Sequence, residues 1–432
     1  MATTTPGGRH DGGSGDSGGI EIRAVEEADL ADWGRAVSSG FLAPKGHSRL
    51  EIRQAQFSPG RTLGAYHRRR CVGTFRSLDR ELTVPGGATL TADGITNVTV
   101  AATHRRRGLL TRMMTRGLTA AAERGNSLAI LIAAEYPIYG RYGFGPATGF
   151  RSYTVDKLRA GNVRVPAEAD DGSFELLDLD EWRAIGPELY DRFRLTQPGA
   201  ISRLPLDWRL KTGGLIRSPS DWKEPLVALY RDGAGQPAGY VAYRVTEEWT
   251  NKVSATELIV TDLIAVDRTA AAALWRYLLA IDWVVRIRID NAAPDEPLAL
   301  LFDNPRACTD GGNSCDDFMW LRILDAPTAF AARSYDAPGR VVLQVADALG
   351  YVDGRFALET APDGTGRWTA ADAGEPTELA LDAGVLATLY LGTDTATRLH
   401  AAGRLTELRP GAAHRLSALL RTDFRPWCPD SF

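Results

Sequence analysis

The residues best suited to chemistry lie between Val98 and Arg116. His104-Arg-Arg-Arg-Gly108 sets three guanidinium groups and a glycine directly ahead of an apolar-periodic run. Arginines give charge-assisted donors to phosphate, and glycine lets a ligand approach the backbone closely. A helix start adds unpaired amides and the positive end of its dipole. The chemistry this predicts is retention of a phosphorylated ligand. The stretch is not a Walker A loop, lacking both its glycine spacing and its Lys-Ser/Thr end, and it is not Gly-x-Gly-x-x-Gly. A second dense stretch is Tyr136-Pro-Ile-Tyr139-Gly-Arg-Tyr-Gly-Phe-Gly-Pro146. A phenol with a pKa of ~10 stays protonated at neutral pH and can donate. Aromatic-glycine runs also pack onto sheet edges, and some of these tyrosines must do only that.

The flanking pattern says what holds these residues. Val98 and Val100 alternate with polar neighbours, as a strand does, while Leu109, Leu110, Met113, Met114 and Leu118 recur at helical spacing. Strand, basic turn and helix follow one another. Leu128 to Ala134 is a continuous apolar run suited to a buried strand. Upstream, Ile20 to Val25 reads as a strand and the stretch from Glu26 through Trp33 as a helix, broken at Phe41-Leu-Ala-Pro44. Arg61 to Phe75 reads as a hairpin with a second basic run, His67-Arg-Arg-Arg70, at its turn. Basic character alone therefore does not single out Arg105 to Arg107; opening a helix does.

At 432 residues the chain is long enough for about three domains. A formal net charge of -4 gives no global basic field, which argues against a nucleic-acid partner. Cys71, Cys308, Cys315 and Cys428 lack zinc spacing and fit reduced thiols, as expected of a cytoplasmic protein. No apolar run approaches the ~20 residues a membrane helix needs. Residues 1–19 are rich in Gly, Ser, Thr and Asp and read as a disordered tail with no signal peptide.

Arg159 to Gly172 reads as a linker. Beyond it, Leu226 to Tyr230 and Gly239 to Arg244 form a hairpin, Leu258 to Val266 a strand, and Arg268 to Ile281 a helix. This repeats the earlier strand–turn–helix order, but the turn, Asp267-Arg-Thr, has no glycine and one arginine. It reads as an inactive copy. Strands follow at 340–345, 355–359, 366–369 and 377–381, with helices at 395–407 and 411–421. The sequence closes on Asp423-Phe-Arg-Pro-Trp-Cys-Pro-Asp-Ser-Phe432, whose prolines and aromatic rings suit a tail held in place rather than frayed.

Arg105-x-x-Gly108-x-Leu110 resembles the pyrophosphate loop of the GNAT acetyltransferases, which bind coenzyme A. With Val98-x-Val100 and Ile138 to Ala147, the chain after residue 20 resembles the enhanced-intracellular-survival (Eis-like) family. The resemblance implies an α+β fold: tandem GNAT-like domains, each a mixed sheet flanked by helices, then a sterol-carrier-like α+β domain. The expected division is a tail at 1–19, an active GNAT domain at 20–150, a degenerate copy at 151–305, and a third domain at 306–432 entered near Trp320 to Tyr335.

The same resemblance implies an acetyl-CoA-dependent N-acetyltransferase acting on primary amines of aminoglycoside- or polyamine-like small molecules. It assigns the pyrophosphate to Arg105, Arg106, Gly108 and Leu109, and the thioester carbonyl to the backbone of Val98 and Val100. Tyr139 would be the acid and the terminal carboxylate of Phe432 the base. Trp33, Phe41, Asp430 and Ser431 would line the acceptor site, and hexameric assembly is expected. Two departures stand out. Leu110 replaces the family's usual Gly or Ala, and Ala134 replaces a frequent Ser, losing any hydroxyl contact there. The alternatives are a protein lysine acetyltransferase, or a lipid-binding or scaffold protein with an idle acetyltransferase fold.

Overall fold

A computed structural model describes residues 19–43, 50–166, 171–216 and 222–432. The expected disordered tail lies outside the described residues, apart from Gly19. The chain divides into two compact units, one within Met1–Arg76 and Asn97–Arg116, the other within Ser77–Thr96 and Gly117–Phe432.

In the first unit, β1 (Ile20–Ala24) pairs with β2 (Thr62–His67), and β2 pairs antiparallel with the start of β3 (Arg70–Thr83). The predicted hairpin is present, with Arg68 and Arg69 at its tip in left-handed conformation (φ 50° and 64°). The helix Leu30–Gly40 buries Leu30, Trp33, Ala36 and Val37 against this layer. Its last residue must be glycine, because a Cβ on Gly40 would stand 2.4 Å from the Thr99 side chain.

β4 (Thr89–Val100) runs from the second unit into the first, as β3 runs the other way. In the second unit β4 pairs in parallel with β5 (Leu128–Ile132), from Ala92↔Leu128 to Ile95↔Leu131. β16 (Met319–Ile323) then pairs antiparallel with both β5 and β6 (Gly145–Pro146).

A second sheet has the order β15-β7-β14-β13-β10-β9-β8. Its strands are β7 (Arg151–Asp156), β8 (Ser173–Leu177), β9 (Leu226–Arg231), β10 (Pro237–Thr246), β13 (Thr256–Ala265), β14 (Val284–Ala292) and β15 (Cys308–Asp310). Two short strands, β11 (Trp249–Thr250) and β12 (Val253–Ser254), form a side hairpin. As in the first sheet, one parallel pair, β13 with β14, is joined by a helix, here Arg268–Ala280.

A third sheet, β19-β18-β17-β20-β21, comprises β17 (Gly339–Ala346), β18 (Gly354–Thr360), β19 (Gly366–Ala370), β20 (Leu379–Asp382) and β21 (Thr406–Glu407). It shares one apolar core with β5 and β16, in which Leu128, Ile130, Leu321, Leu343 and Leu386 are each at most 1% exposed.

Three sequence expectations need correcting, and one helix is additional. Residues 159–166 are not a free linker: Val163 bridges Phe302 and Arg164 N donates to Leu301 O at 2.7 Å. Residues 306–323 do not open the third sheet, since β15 pairs with β7 and β16 with β5. The helix expected over 395–407 is only Ala396–Ala401, followed by β21. A buried helix, Ala383–Tyr390, was not expected.

Candidate active site

Within the first unit, Val98, Val100, Arg105, Arg106, Gly108 and Leu109 occupy one continuous strand–turn–helix. Val98 and Val100 share the half-exposed face of β4, and the intervening Thr99 is buried, its hydroxyl 2.7 Å from that of Thr74. Asn97 is left-handed (φ 52°), interrupting the strand just before these residues. After a single turn of 3-10 helix at Ala102–His104 come Arg106 (φ 61°) and Gly108 (φ 70°), also left-handed. Such residues turn successive backbone N–H groups toward one side, as an anion requires.

The helix Leu109–Glu123 follows, with Arg112 N donating to Gly108 O at 3.0 Å. Leu109 is 2% exposed, so only its amide is available to a ligand. A Cβ on Gly108 would meet nothing within 4 Å, which leaves open space over the turn. These residues fit a pyrophosphate.

The hairpin tip belongs to the same anion-attracting surface. His67 Nδ1 lies 2.9 Å from His104 Nε2, and the two rings meet edge to face at 5.0 Å. Arg68, Arg69 and Arg70 are thereby joined to Arg105, Arg106 and Arg107. All six are exposed, and among the described residues none has a carboxylate within 4 Å. Burial, with Arg107 and His67 nearby, lowers the pKa of His104, so its imidazole is neutral at pH 7. Nothing local in the sequence shows which turn this hairpin will meet.

Trp33 does not line a site. It is 1% exposed, its indole N–H donates to Leu63 O at 3.0 Å, and the guanidinium groups of Arg53 and Arg76 flank its ring. It is a core residue of the first unit. Phe41 is half exposed and follows Gly40, whose contact with Thr99 sets it beside the end of β4.

Within the second unit, Tyr139 ends the short helix Tyr136–Tyr139 and its ring meets Phe144 edge to face at 6.3 Å. Its hydroxyl has no hydrogen-bond partner among the described residues. Burial, reinforced by Tyr142 and Glu135, pushes its pKa up to about 12, so the phenol keeps its proton.

Phe432, the last residue of the sequence, lies at the end of the β4–β5 ladder. The Thr96 hydroxyl donates to a main-chain oxygen of Phe432 at 3.1 Å. The Phe432 ring rests 3.3 Å from where a Gly94 Cβ would stand, with the Arg80 guanidinium 5.8 Å from its centre. Ser431 and Asp430 border a cavity of about 540 Å³ whose walls include Arg80, Asp207, Lys211 and Trp222.

Comparison with known proteins decides the family. Residues 21–147 and 199–323 each match a model described as an acetyltransferase (GNAT) domain, and 326–429 match a sterol carrier protein domain. An uncharacterised N-acetyltransferase from Streptomyces avermitilis is 47% identical over 96% of this chain and 99% of its own length. N-acetyltransferase Eis from Mycobacterium tuberculosis is 35% identical over 82% of this chain and 83% of its own. Eis1 from Mycobacterium abscessus superposes with a TM-score of 0.81 at 31% identity, covering 96% of this chain and all of that one. The chain belongs to the Eis-like N-acetyltransferases.

This Eis-like protein is thus an acyltransferase enzyme with two GNAT-type sheets and a sterol-carrier-type third region. GNAT acetyltransferases in general use acetyl-CoA. No helix among the described residues is long and apolar enough to cross a membrane.

Proposed function

We propose that this Eis-like enzyme moves an acetyl group from acetyl-CoA to a primary amine of a small molecule, with the Phe432 carboxylate as base. The observation that carries the reading is the Thr96–Phe432 hydrogen bond one residue beyond the last parallel pair, Ile95↔Leu131. Bound acetyl-CoA would supply an activated thioester. Arg105, Arg106, Gly108 and the Leu109 amide would hold its pyrophosphate, and the backbone at Val98 to Val100 would polarise the carbonyl. The Phe432 carboxylate would take the amine's proton, directly or through a water. Tyr139, held protonated, would give a proton to the departing sulfur.

The acceptor's charge can be argued from the cavity beside Ser431. Asp207 is engaged by Arg80, and Asp430 by Arg203. Neither carboxylate is free for a polycation. This favours acceptors with one reactive amine on a neutral polar body over the aminoglycosides and polyamines that the family suggests. Two exposed tryptophans, Trp249 of the β11–β12 hairpin and Trp283, meet edge to face with centres 5.8 Å apart, an apolar surface that supports self-association and the expected hexamer.

Thiol-release kinetics with acetyl-CoA against a panel of monoamines, polyamines and aminoglycosides tests the reading. Amine-dependent thiol release is expected. Its absence with every amine, beside acetylation of a protein lysine, would favour the protein-acetyltransferase alternative.

A further inference from the structure

The second GNAT-type sheet repeats the first in one telling respect. Its parallel ladder runs from Thr256↔Val284 to Val260↔Ile289, while β13 continues to Ala265. In the first sheet the corresponding ladder end receives Phe432. In the second it receives the same tail five residues earlier. A cavity of about 110 Å³ there has walls from Leu263, Ala265, Ala271, Trp275 and Ile289, and Trp427 forms another side.

The tail is fastened along this sheet. The Trp427 amide donates to Pro198 O at 2.9 Å, and its indole N–H donates to Asn291 Oδ1 at 2.8 Å. Asn291 Nδ2 donates in turn to Pro429 O at 3.1 Å, and Arg425 N donates to Asp295 Oδ2 at 2.7 Å. Gly199 is left-handed (φ 90°), and a Cβ there would stand 3.0 Å from the Trp427 amide nitrogen. The backbone is shaped to accept the tail.

The strongest fastening is ionic. Arg203, its side chain 1% exposed, grips Asp262 with both Nη atoms at 2.9 Å, and its Nε reaches both Asp430 oxygens at 2.8 and 3.0 Å. Its guanidinium lies 3.8 Å from the centre of the Tyr190 ring, and the Tyr190 hydroxyl shares its proton between Asp430 Oδ2 and Ile201 O. Lys211 approaches Asp262 at 3.1 Å and Asp430 at 3.8 Å. A surface tail has no need of a buried cation shared by two carboxylates. Only Ser431 lies between Asp430 and Phe432, and two residue steps reach ~7 Å at most, so the clamp limits where the last residue can stand.

We propose that the second GNAT-type sheet is a cradle for residues 425–431, and that Arg203 and Asp430 are positioning residues for the Phe432 carboxylate. The cofactor-cleft position of the inactive copy has become the seat of the tail that completes the active one. The cradle stands on its own contacts, while the positioning role rests on the reading of Phe432 as base.

The test is Asp430→Asn, which keeps the side chain's shape and leaves Arg203 paired with Asp262. Two readouts are taken on the folded full chain: release of free phenylalanine by carboxypeptidase A, and kcat against KM for acetyl-CoA. The cradle predicts faster phenylalanine release, by about tenfold or more. Misplacement of a reacting group by ~1 Å can cost on the order of a hundredfold, so kcat should fall at least tenfold at unchanged KM. Tyr190→Phe, a milder change, should move both readouts the same way by a smaller factor and serves if Asp430→Asn does not fold. Unchanged phenylalanine release overturns the cradle whatever the turnover. Faster release with full turnover overturns the positioning role. Full turnover in a chain extended by one glycine would instead overturn the base reading beneath it, leaving the cradle to be judged on release alone.

Discussion

The Thr96 hydroxyl and a main-chain oxygen of Phe432 are 3.1 Å apart, although 336 positions separate them in the chain. Thr96 follows Ile95, the last residue of β4 paired with β5. The end of a parallel ladder and the seat of the last side chain meet at this point.

Cofactor binding should depend on both basic turns. Arg105→Ala removes a charge-assisted contact worth about 1.5–3 kcal/mol, so the KM for acetyl-CoA should rise roughly tenfold or more. Gly108→Val should act more severely, filling the open space over a left-handed position. Replacing Arg68-Arg69 by Asn-Gly separates folding from binding. Asn-Gly suits a two-residue turn with both φ values positive, so stability should rise by about 1 kcal/mol while acetyl-CoA affinity falls. Higher melting temperature with unchanged affinity would exclude the hairpin from the cofactor surface. Calorimetry should count one acetyl-CoA per chain, because Asp267 caps the corresponding helix of the second sheet and puts a negative charge where a phosphate would sit.

Turnover should depend on the Tyr139 hydroxyl. Tyr139→Phe keeps the ring and its edge contact with Phe144 but removes the proton. Loss of a general acid typically costs 10²–10⁴-fold, so kcat should fall by at least about a hundredfold with little change in KM for acetyl-CoA. Full turnover in this variant would transfer the role to Tyr136 or Tyr142, or remove the need for an acid.

Stability should carry the signature of Glu296 beside the tail cradle. Burial, with Asp295 adding repulsion, pushes its pKa up to about 7 from the ordinary glutamate value of 4.5. The folded form thus holds a proton that the unfolded form releases, and stability falls as pH rises from about 4.5 to about 7, then stays flat. Glu296→Gln should remove that slope and raise stability at pH 8 by about 1–3 kcal/mol, with little effect at pH 4. Parallel melting curves for the two proteins across this window would refute the assignment.

Local pattern made the strand, basic turn and helix at Val98 to Leu118 legible, because alternation changes there to helical spacing within a dozen residues. The family resemblance supplied the three-part plan and the role of Phe432. What sequence did not show has physical causes. Ala383–Tyr390 is buried on every side, with no polar face to give it a periodic signal. Met319–Ile323 pairs with Leu128–Ile132 across the whole of the second sheet's sequence, a distance no local pattern spans. Trp33 reads in sequence as a candidate lining residue, and only packing shows that it is core. The clamp of Arg203 on Asp430 and the meeting of His67 with His104 are contacts of distant segments that no spacing rule reaches.

The central claim is that the carboxylate of Phe432 is the base, and appending one glycine tests it most directly. The extension replaces the charge by a neutral amide and moves the new carboxylate ~3.5 Å along the chain. Val98 to Leu109 and the contacts of Trp427 and Asp430 are untouched. The account predicts an unchanged melting temperature, unchanged acetyl-CoA affinity, and a kcat lower by on the order of a hundredfold or more. Equal turnover in the native and extended enzymes at equal melting temperature would contradict it, and would direct attention to Glu135, beside the Tyr139 helix, as the base.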